Sequence, residues 1–452
     1  MSDAAARAAL AGRLRPPQGV LEIAARLERE GYEAWCVGGA VRDALLGEPS
    51  LDWDLATSAT PDVVQQLFRR TVPKGVEFGT VGVFDRAGVL HEVTTFRRDV
   101  RTDGRHAVVE FGASLEDDLA RRDFTINAIA FRPSTGVVAD PFDGAGDAAR
   151  RLIRAVGDPA TRMREDRLRA LRAIRFASRF DFAIDPATWA AIVESAPHMT
   201  RLSPERVREE IEKAMRQVRC PSEALERWRA SGALAVLVPP LAAQPPVAFT
   251  TADYLPRPTL ASRPQRLLNR LAAPWLGVPR AEVERGLRAL RCSNHEVRWT
   301  TDLTDRAGAL LEVARTALTG SASGETARPS DADLRRWAAT CGRTRAAPVL
   351  RLLAARFAAE RALIRAGDDA GAVPSGRAVR SAYRRLVRIA YHDPIEITDL
   401  AVSGADLAEV GMRPGPLVGA TLRQLLDAVV ADPSRNTRAW LLAEAAALAA
   451  HA

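Results

Sequence analysis

The chain has 452 residues, 47% of them hydrophobic and 27% charged, with a formal net charge of +8. That length exceeds one ordinary core and implies two to four domains. No run of about 18 or more apolar residues offers a membrane span, and the four cysteines (Cys36, Cys220, Cys292, Cys341) lack metal-site or redox spacing, which fits a reducing cytoplasm and argues against structural zinc.

Residues 1–17, rich in Ala and Arg, read as a disordered leader, with an organelle-targeting segment as the alternative. From 18 to 155 short helices and strands mix. Residues 20–30 predict an amphipathic helix closed by Gly31, 34–37 an apolar strand, 41–46 a helix stopped by Gly47, and 51–56 a second strand. Thr60-Pro61-Asp62 places a cap before a proline at the first helical position and opens a helix to Phe68. Residues 76–84 and 89–96 form a hairpin about 85–88, and the polar, Arg-rich stretch 97–107 reads as a loop between strands.

Beyond about residue 156 strand signals nearly vanish. Residues 164–179 predict one long helix, and Ser203-Pro204-Glu205 caps another running to about Val218. The Pro-rich stretch 238–264 reads as a connector, 320–330 and 367–376 as flexible joints, and Pro414-Gly415-Pro416 as a turn before a helix over 417–430. The fold class is therefore α+β: a small mixed-sheet head (18–155) followed by an all-helical neck (156–235), body (236–375) and tail (376–452).

The chemistry concentrates in the head. Gly38-Gly39-Ala40-Val41-Arg42-Asp43 leads from a strand through a glycine pair into a helix. Glycines let the backbone approach a phosphate, the helix start presents free N–H groups, and Arg42 lies about one turn in. Asp52-Trp53-Asp54 follows. Residues two apart on a strand share a face, so Asp52 and Asp54 would repel unless cations lay between them. Two Mg2+ ions fit: one to activate an attacking hydroxyl, the other to stabilise a leaving pyrophosphate. A lone Gly-Gly turn or Asp-x-Asp is commonplace; the pair in sequence is not.

Further along, Asp166, Arg169, Arg172 and Arg175 recur every three residues, which on a helix makes them surface neighbours. Such a charge run is usually a solvated face of ion pairs. It would equally place a carboxylate to accept from the amino group of C or A, with a guanidinium for ring acceptors, leaving Arg172 and Arg175 for phosphate. Glu92 either supports the metals or the RNA 3′-hydroxyl or pairs with an arginine; His91 reads as structural. All basic residues but Lys74 and Lys213 are arginine, a bias that genomic base composition explains as readily as function, although the net charge favours a polyanionic partner.

These motifs resemble the polymerase-β-like nucleotidyltransferases of the class II CCA-adding tRNA nucleotidyltransferase and bacterial poly(A) polymerase family. The resemblance covers about residues 20–220: the first motif above, then Arg121-Arg122-Asp123-Phe124-Thr125-Ile126-Asn127-Ala128, then Asp140-Pro141-Phe142-Asp143-Gly144, then Glu165-Asp166-Arg167-Leu168-Arg169. It implies that Asp52 and Asp54 bind Mg2+ and are catalytic. Gly39 and Arg42 would hold triphosphate, Arg122 and Asp123 the sugar and phosphate, and Asp166 and Arg169 the base, with Arg172 and Arg175 adding charge. Asp103, Gly104 and Arg105 fall in a stretch resembling the loop that switches the family from C to A. The expected activity is template-independent addition of C, C and A to the tRNA 3′ end from CTP and ATP, releasing pyrophosphate, in the cytoplasm. The alternatives are an A-adding enzyme or poly(A) polymerase, against which the lack of a Gly-Arg-Arg-Phe-like segment speaks, and an inactive RNA-binding homologue, against which the intact Asp52 and Asp54 speak. His392-Asp393 stands alone beside Pro394, so no hydrolase function is expected in the helical half.

Overall fold

A computed structural model describes residues 11–49, 52–102, 107–259, 264–319, 328–364 and 373–450. The chain divides into two compact units, one of Met1–Glu210 with Arg227–Leu237, the other of Ile211–Glu226 with Val238–Ala452.

The first unit is built on a seven-stranded mixed sheet. Its strands are β1 (Ala34–Val37), β2 (Asp54–Thr57), β3 (Thr71–Pro73), β4 (Thr80–Phe84), β5 (Leu90–Thr95), β8 (Ala130–Arg132) and β9 (Val137–Ala139), in the order β3-β4-β5-β2-β1-β8-β9. Strands β2 and β5 run parallel, and the other pairs are antiparallel. Every residue of central β1 is buried, as its unbroken apolar run requires. Alternate side chains enter two cores: Ala34 and Cys36 join Val20, Ile23, Leu27, Trp53, Leu55 and Val93, whereas Trp35 and Val37 join Ala56, Phe96 and Leu119. Fully buried Leu55 and Val93 each contribute about 1.5–3 kcal/mol relative to exposure. Two smaller pairs complete the strands: an antiparallel ribbon of β6 (Arg97–Thr102) and β7 (Ala107–Phe111), and a parallel pair of β10 (Leu152–Ile153) and β11 (Ala183–Ile184).

Helices Gln18–Arg29 and Gly39–Leu45 stop short of Gly31 and Gly47, both at positive φ, as expected. Five expectations need correction. The second strand starts at Asp54, not residue 51, because β1 gives out: Val37 pairs with Asp54, and Gly38 then turns away. The hairpin begins at Thr80, since residues Val76–Phe78 form a 3-10 turn. The stretch 97–107 is mostly the β6–β7 ribbon rather than a loop, while Asp103, Gly104 and Arg105 lie outside the described residues. The long helix over 164–179 is two helices, Pro159–Glu165 and Leu168–Phe180; Asp166 between them is extended, and its carboxylate accepts the Leu168 N–H, which starts the second helix afresh. The Pro-rich connector is itself helical, as Pro239–Ala242 and Pro246–Asp253, because prolines at first-turn positions lack only an N–H that the helix does not use. The joint at 320–330 lies outside the described residues up to 327, as does most of 367–376.

The second unit is helical. Its tail core gathers Leu407, Leu425, Val429, Leu441 and Ala445 from the Pro416–Ala431 and Arg438–Ala450 helices and the turns before them. Arg270, 1% exposed, donates to the carbonyls of Met215 (2.5 Å), Arg219 (3.0 Å), Ala252 (3.1 Å) and Val218 (3.4 Å). A planar fork of donors thus satisfies carbonyls that the end of the Pro204–Gln217 helix leaves without partners.

Candidate functional site

The site forms where β1 ends. Gly38 sits at φ 76°, ψ −134°, a backbone that side-chain-bearing residues rarely adopt. A Cβ there would lie 3.1 Å from Arg122 Nη1 and 3.9 Å from Asp54 Oδ2. The missing side chain is therefore what lets the bend, Arg122 and Asp54 crowd together. The helix that follows, Gly39–Leu45, is only seven residues long.

Opposite the bend, Trp53 is buried in the core, Asp54 is half-buried at the mouth of β2, and Asp52 is exposed just ahead of it. Because Leu55 pairs with Val93 in parallel, Glu92 on β5 shares a sheet face with Asp54. Burial first, then the charges of Asp52 and Glu92, push the Asp54 carboxyl up to about 7, against the opposing pull of Arg122 and Lys74. Lys74 Nζ lies 3.0 Å from Glu92 Oε1. So Glu92, left open between metal support and an arginine, is paired to a lysine while facing the same corner. Three carboxylates outnumber two cations here; among the described residues no three such side chains gather as a metal-holding group, so a divalent cation at this negative corner would rest on two hard carboxylate donors.

A second cluster lies beside it. Arg42, expected at phosphate, is instead 5% exposed: it pairs with Asp43 (2.7 Å), donates to Asn127 Oδ1 (2.6 Å) and lies over the rings of Phe176 and Phe180 at 4.8 and 5.1 Å. Burial in this pocket of rings lowers its pKa. Asn127 is the junction, since its amide also donates to Asp123 (2.8 Å) and its carbonyl accepts from Arg122 (3.3 Å). Asp123 is buried and bonded to Arg172 at 2.7 Å. Arg122 also reaches Asp118 at 3.2 Å, and its buried Nε has no partner among the described residues. Arg175 is enclosed at 3% exposure, its Nε 2.6 Å from Glu210. Arg172 and Arg175, expected to supply free charge, are thus already neutralised by Asp123 and Glu210.

Burial pushes the Asp123 carboxyl up, but Arg172, Asn127 and Arg169 more than reverse this and hold it at about 2. That lies below an unperturbed Asp near 3.9. Its stabilisation is therefore fully present above about pH 4 and is lost as pH falls through about 2. Urea midpoints recorded from about pH 5 down to about pH 2 are expected to fall less steeply for Asp123→Asn than for the parent chain; parallel curves would show that the carboxylate carries no such stabilisation.

Asp166 and Arg169, expected to read the base, are separated by the helix break. Asp166 accepts from Leu168 N–H (3.1 Å) and Arg206 (2.7 Å), whereas Arg169 binds Glu165 (2.8 Å) and the carbonyl of Arg121 (3.0 Å). They flank one another across less than one turn, joined through the backbone, where the Arg169 N–H donates to the Asp166 carbonyl at 3.0 Å. His91 is buried against Asp85 at 3.2 Å, which suits a structural residue. Lys74, Asn127 and the Asp43–Arg179 pair (3.1 Å) were not singled out from the sequence. Asn127 and Asp43 carried a signal, their places inside the second and first motifs.

Comparison with known proteins adds an independent line. Residues 34–154 match the Poly A polymerase head domain, and residues 181–244 the probable RNA and SrmB-binding site of polymerase A. The chain is 35% identical over 444 residues to the CCA-adding enzyme of Limosilactobacillus fermentum, covering 94% of this chain and 96% of that protein. It is 36% identical over 442 residues to that of Geobacillus kaustophilus, covering 95% and 98%. Among solved structures, the Bacillus stearothermophilus CCA-adding enzyme in complex with CTP superposes with a TM-score of 0.72 at 33% identity, covering 97% of this chain and 100% of that one. The Thermotoga maritima CCA-adding enzyme complexed with tRNA gives 0.63 at 20% identity over 97% of each chain, a likeness of fold.

Proposed function

The chain belongs to the CCA-adding enzyme family and adds C, C and A to the 3′ end of tRNA from CTP and ATP, and from that premise we propose how its residues divide the work. The observation that carries the reading is the corner of Asp52 and Asp54 beside the Gly38 bend, with the Arg122 guanidinium beside it.

The family depends on a divalent metal, which we take to be Mg2+ because the donors are hard carboxylate oxygens. Asp52 and Asp54 would hold it, and when bound it supplies Lewis-acid activation of the 3′-hydroxyl and charge stabilisation at the leaving pyrophosphate. Gly39 keeps the backbone bare where triphosphate approaches. Arg122, with its unpartnered Nε, offers a donor to phosphate or ribose. Arg42 acts on the same region indirectly, by holding Asn127, which in turn orients Asp123. Arg172 and Arg175 hold the Leu168–Phe180 helix in place through Asp123 and Glu210. Asp166 and Arg169 read the base: each Asp166 oxygen has one partner and retains a lone pair for an exocyclic amino group, which C and A have at the position where U and G present a carbonyl. No described helix is long and apolar enough to cross a membrane, and we place the enzyme with its substrates in the cytoplasm.

The activity is tested by supplying CTP and ATP, separately and together, to tRNA ending before the first C, tRNA ending after the second C, and an unrelated RNA. One-, two- and three-nucleotide extensions confined to tRNA support the reading; long A tracts on any RNA would replace it with poly(A) synthesis. Asp166→Ala is expected to relax discrimination against UTP and GTP more than it weakens tRNA binding, measured as kcat/KM ratios among the four nucleotides. Unchanged ratios would remove Asp166 from base reading.

A further inference from the structure

Within the second unit, the Pro246–Asp253 helix packs on Ala346–Leu363, and that helix on Gly376–His392. A cavity of about 370 Å3 opens among them, lined by Tyr254, Leu255, Arg351, Ala355, Arg380 and Tyr383 with neighbouring small side chains. Its floor is apolar: Leu255 and Ala355 are buried. Its rim is polar and open. Tyr254 is 47% exposed, Arg351 and Arg380 are exposed, and the Arg351 guanidinium lies 5.8 Å from the Tyr383 ring centre. Among the described residues, neither guanidinium nor either phenol makes a hydrogen bond or ion pair. That distinguishes them from arginines such as Arg315 with Glu360 or Arg343 with Asp399, which are held by carboxylates.

We propose that this cavity is a second RNA-binding site that takes one unpaired nucleotide of the RNA substrate, its base against the tyrosine rings and its phosphates on Arg351 and Arg380. The proposal rests on the reading that the chain acts on RNA. The chemistry selects the occupant. Aromatic rings over an apolar floor stack on any base, whereas two unneutralised guanidiniums favour a phosphodiester over an apolar peptide. A volume near 370 Å3 lies in the range of small-ligand sites. A paired helix would keep its bases inside the duplex, so the nucleotide must come from a loop, bulge or end.

The test uses the full chain and tRNA lacking its terminal A, with binding followed by fluorescence anisotropy across a salt series. Tyr383→Ala is expected to weaken binding about tenfold or more, and Tyr383→Phe to stay near the parent value. Arg351→Gln with Arg380→Gln is expected to reduce the slope of log K against log salt by about 1.4, roughly 0.7 for each charge on single-stranded RNA. KM for CTP and kcat at saturating tRNA should not move. Affinity and salt slope unchanged in these variants would overturn the proposal, including the case in which a peptide fills the cavity. Should Tyr383→Ala fail to fold, ultraviolet cross-linking of 4-thiouridine-substituted tRNA to the unaltered protein decides: adducts at Tyr254 or Tyr383 support it, and adducts confined elsewhere sink it. Because anisotropy needs no catalysis, a chain that binds here but adds no nucleotide would fail the activity reading alone.

Discussion

Asp54→Asn is expected to lower nucleotide addition on the order of a thousandfold or more, equivalent to about 4 kcal/mol or more of lost transition-state stabilisation, while leaving tRNA affinity within about twofold. The substitution keeps shape and hydrogen-bonding capacity but removes one of the charges that hold the cation. It should not harm the fold, because the carboxylate it replaces is held in unfavourable company: burial and the charges of Asp52 and Glu92 all oppose its ionisation. A melting temperature at or above that of the parent chain is the control that assigns the loss to chemistry. Asp52→Asn should behave alike. Single-turnover incorporation within about tenfold of the parent rate in either variant would remove the metal assignment.

The second large effect concerns stability. Arg175 and Glu210 are both almost wholly enclosed and bonded at 2.6 Å, and Arg175 also lies 4.2 Å over the Phe176 ring. Burial depresses the Arg175 pKa, with Glu210 the chief opposing influence. Glu210→Ala removes the carboxylate facing a guanidinium in a low-dielectric setting and opens a void, so unfolding free energy should drop by about 3–5 kcal/mol. Replacing both partners, Arg175→Met with Glu210→Leu, should recover most of that loss, since the apolar pair needs no desolvation. Urea titrations with equal slopes would read the difference directly. A single-variant cost below about 1 kcal/mol would show that water reaches the pair.

The contrast between these two cases explains what could be read from the sequence. Strand β1 and the helices before Gly31 and Gly47 were legible because local periodicity and chain breakers decide them. The closeness of Asp52 and Asp54 was legible because their spacing is local too, although Asp52 precedes the strand instead of sharing it. Arg42, Arg172 and Arg175 were not, since a sequence shows charge without showing its partner. Asn127 and Asp123, in the same motif as each other but 85 and 49 residues from Arg42 and Arg172, absorb two of them. Similarly, Asp166 lies within a helical period, yet its short side chain caps Leu168 and restarts the helix, a choice settled by one hydrogen bond. The ribbon over 97–111 was missed because its first strand, Arg97–Thr102, is arginine-rich and polar except for Val100, so apolar alternation gave no signal.

Arg270 imposes an order on events at the ribosome. The carbonyls it covers belong to Met215, Val218 and Arg219, made 55, 52 and 51 residues earlier. At about 5–20 residues per second, that helix end waits roughly 3–10 s for its cover. During nascent-chain growth the segment can close only loosely, and its final locking waits until residue 270 itself has left the exit tunnel.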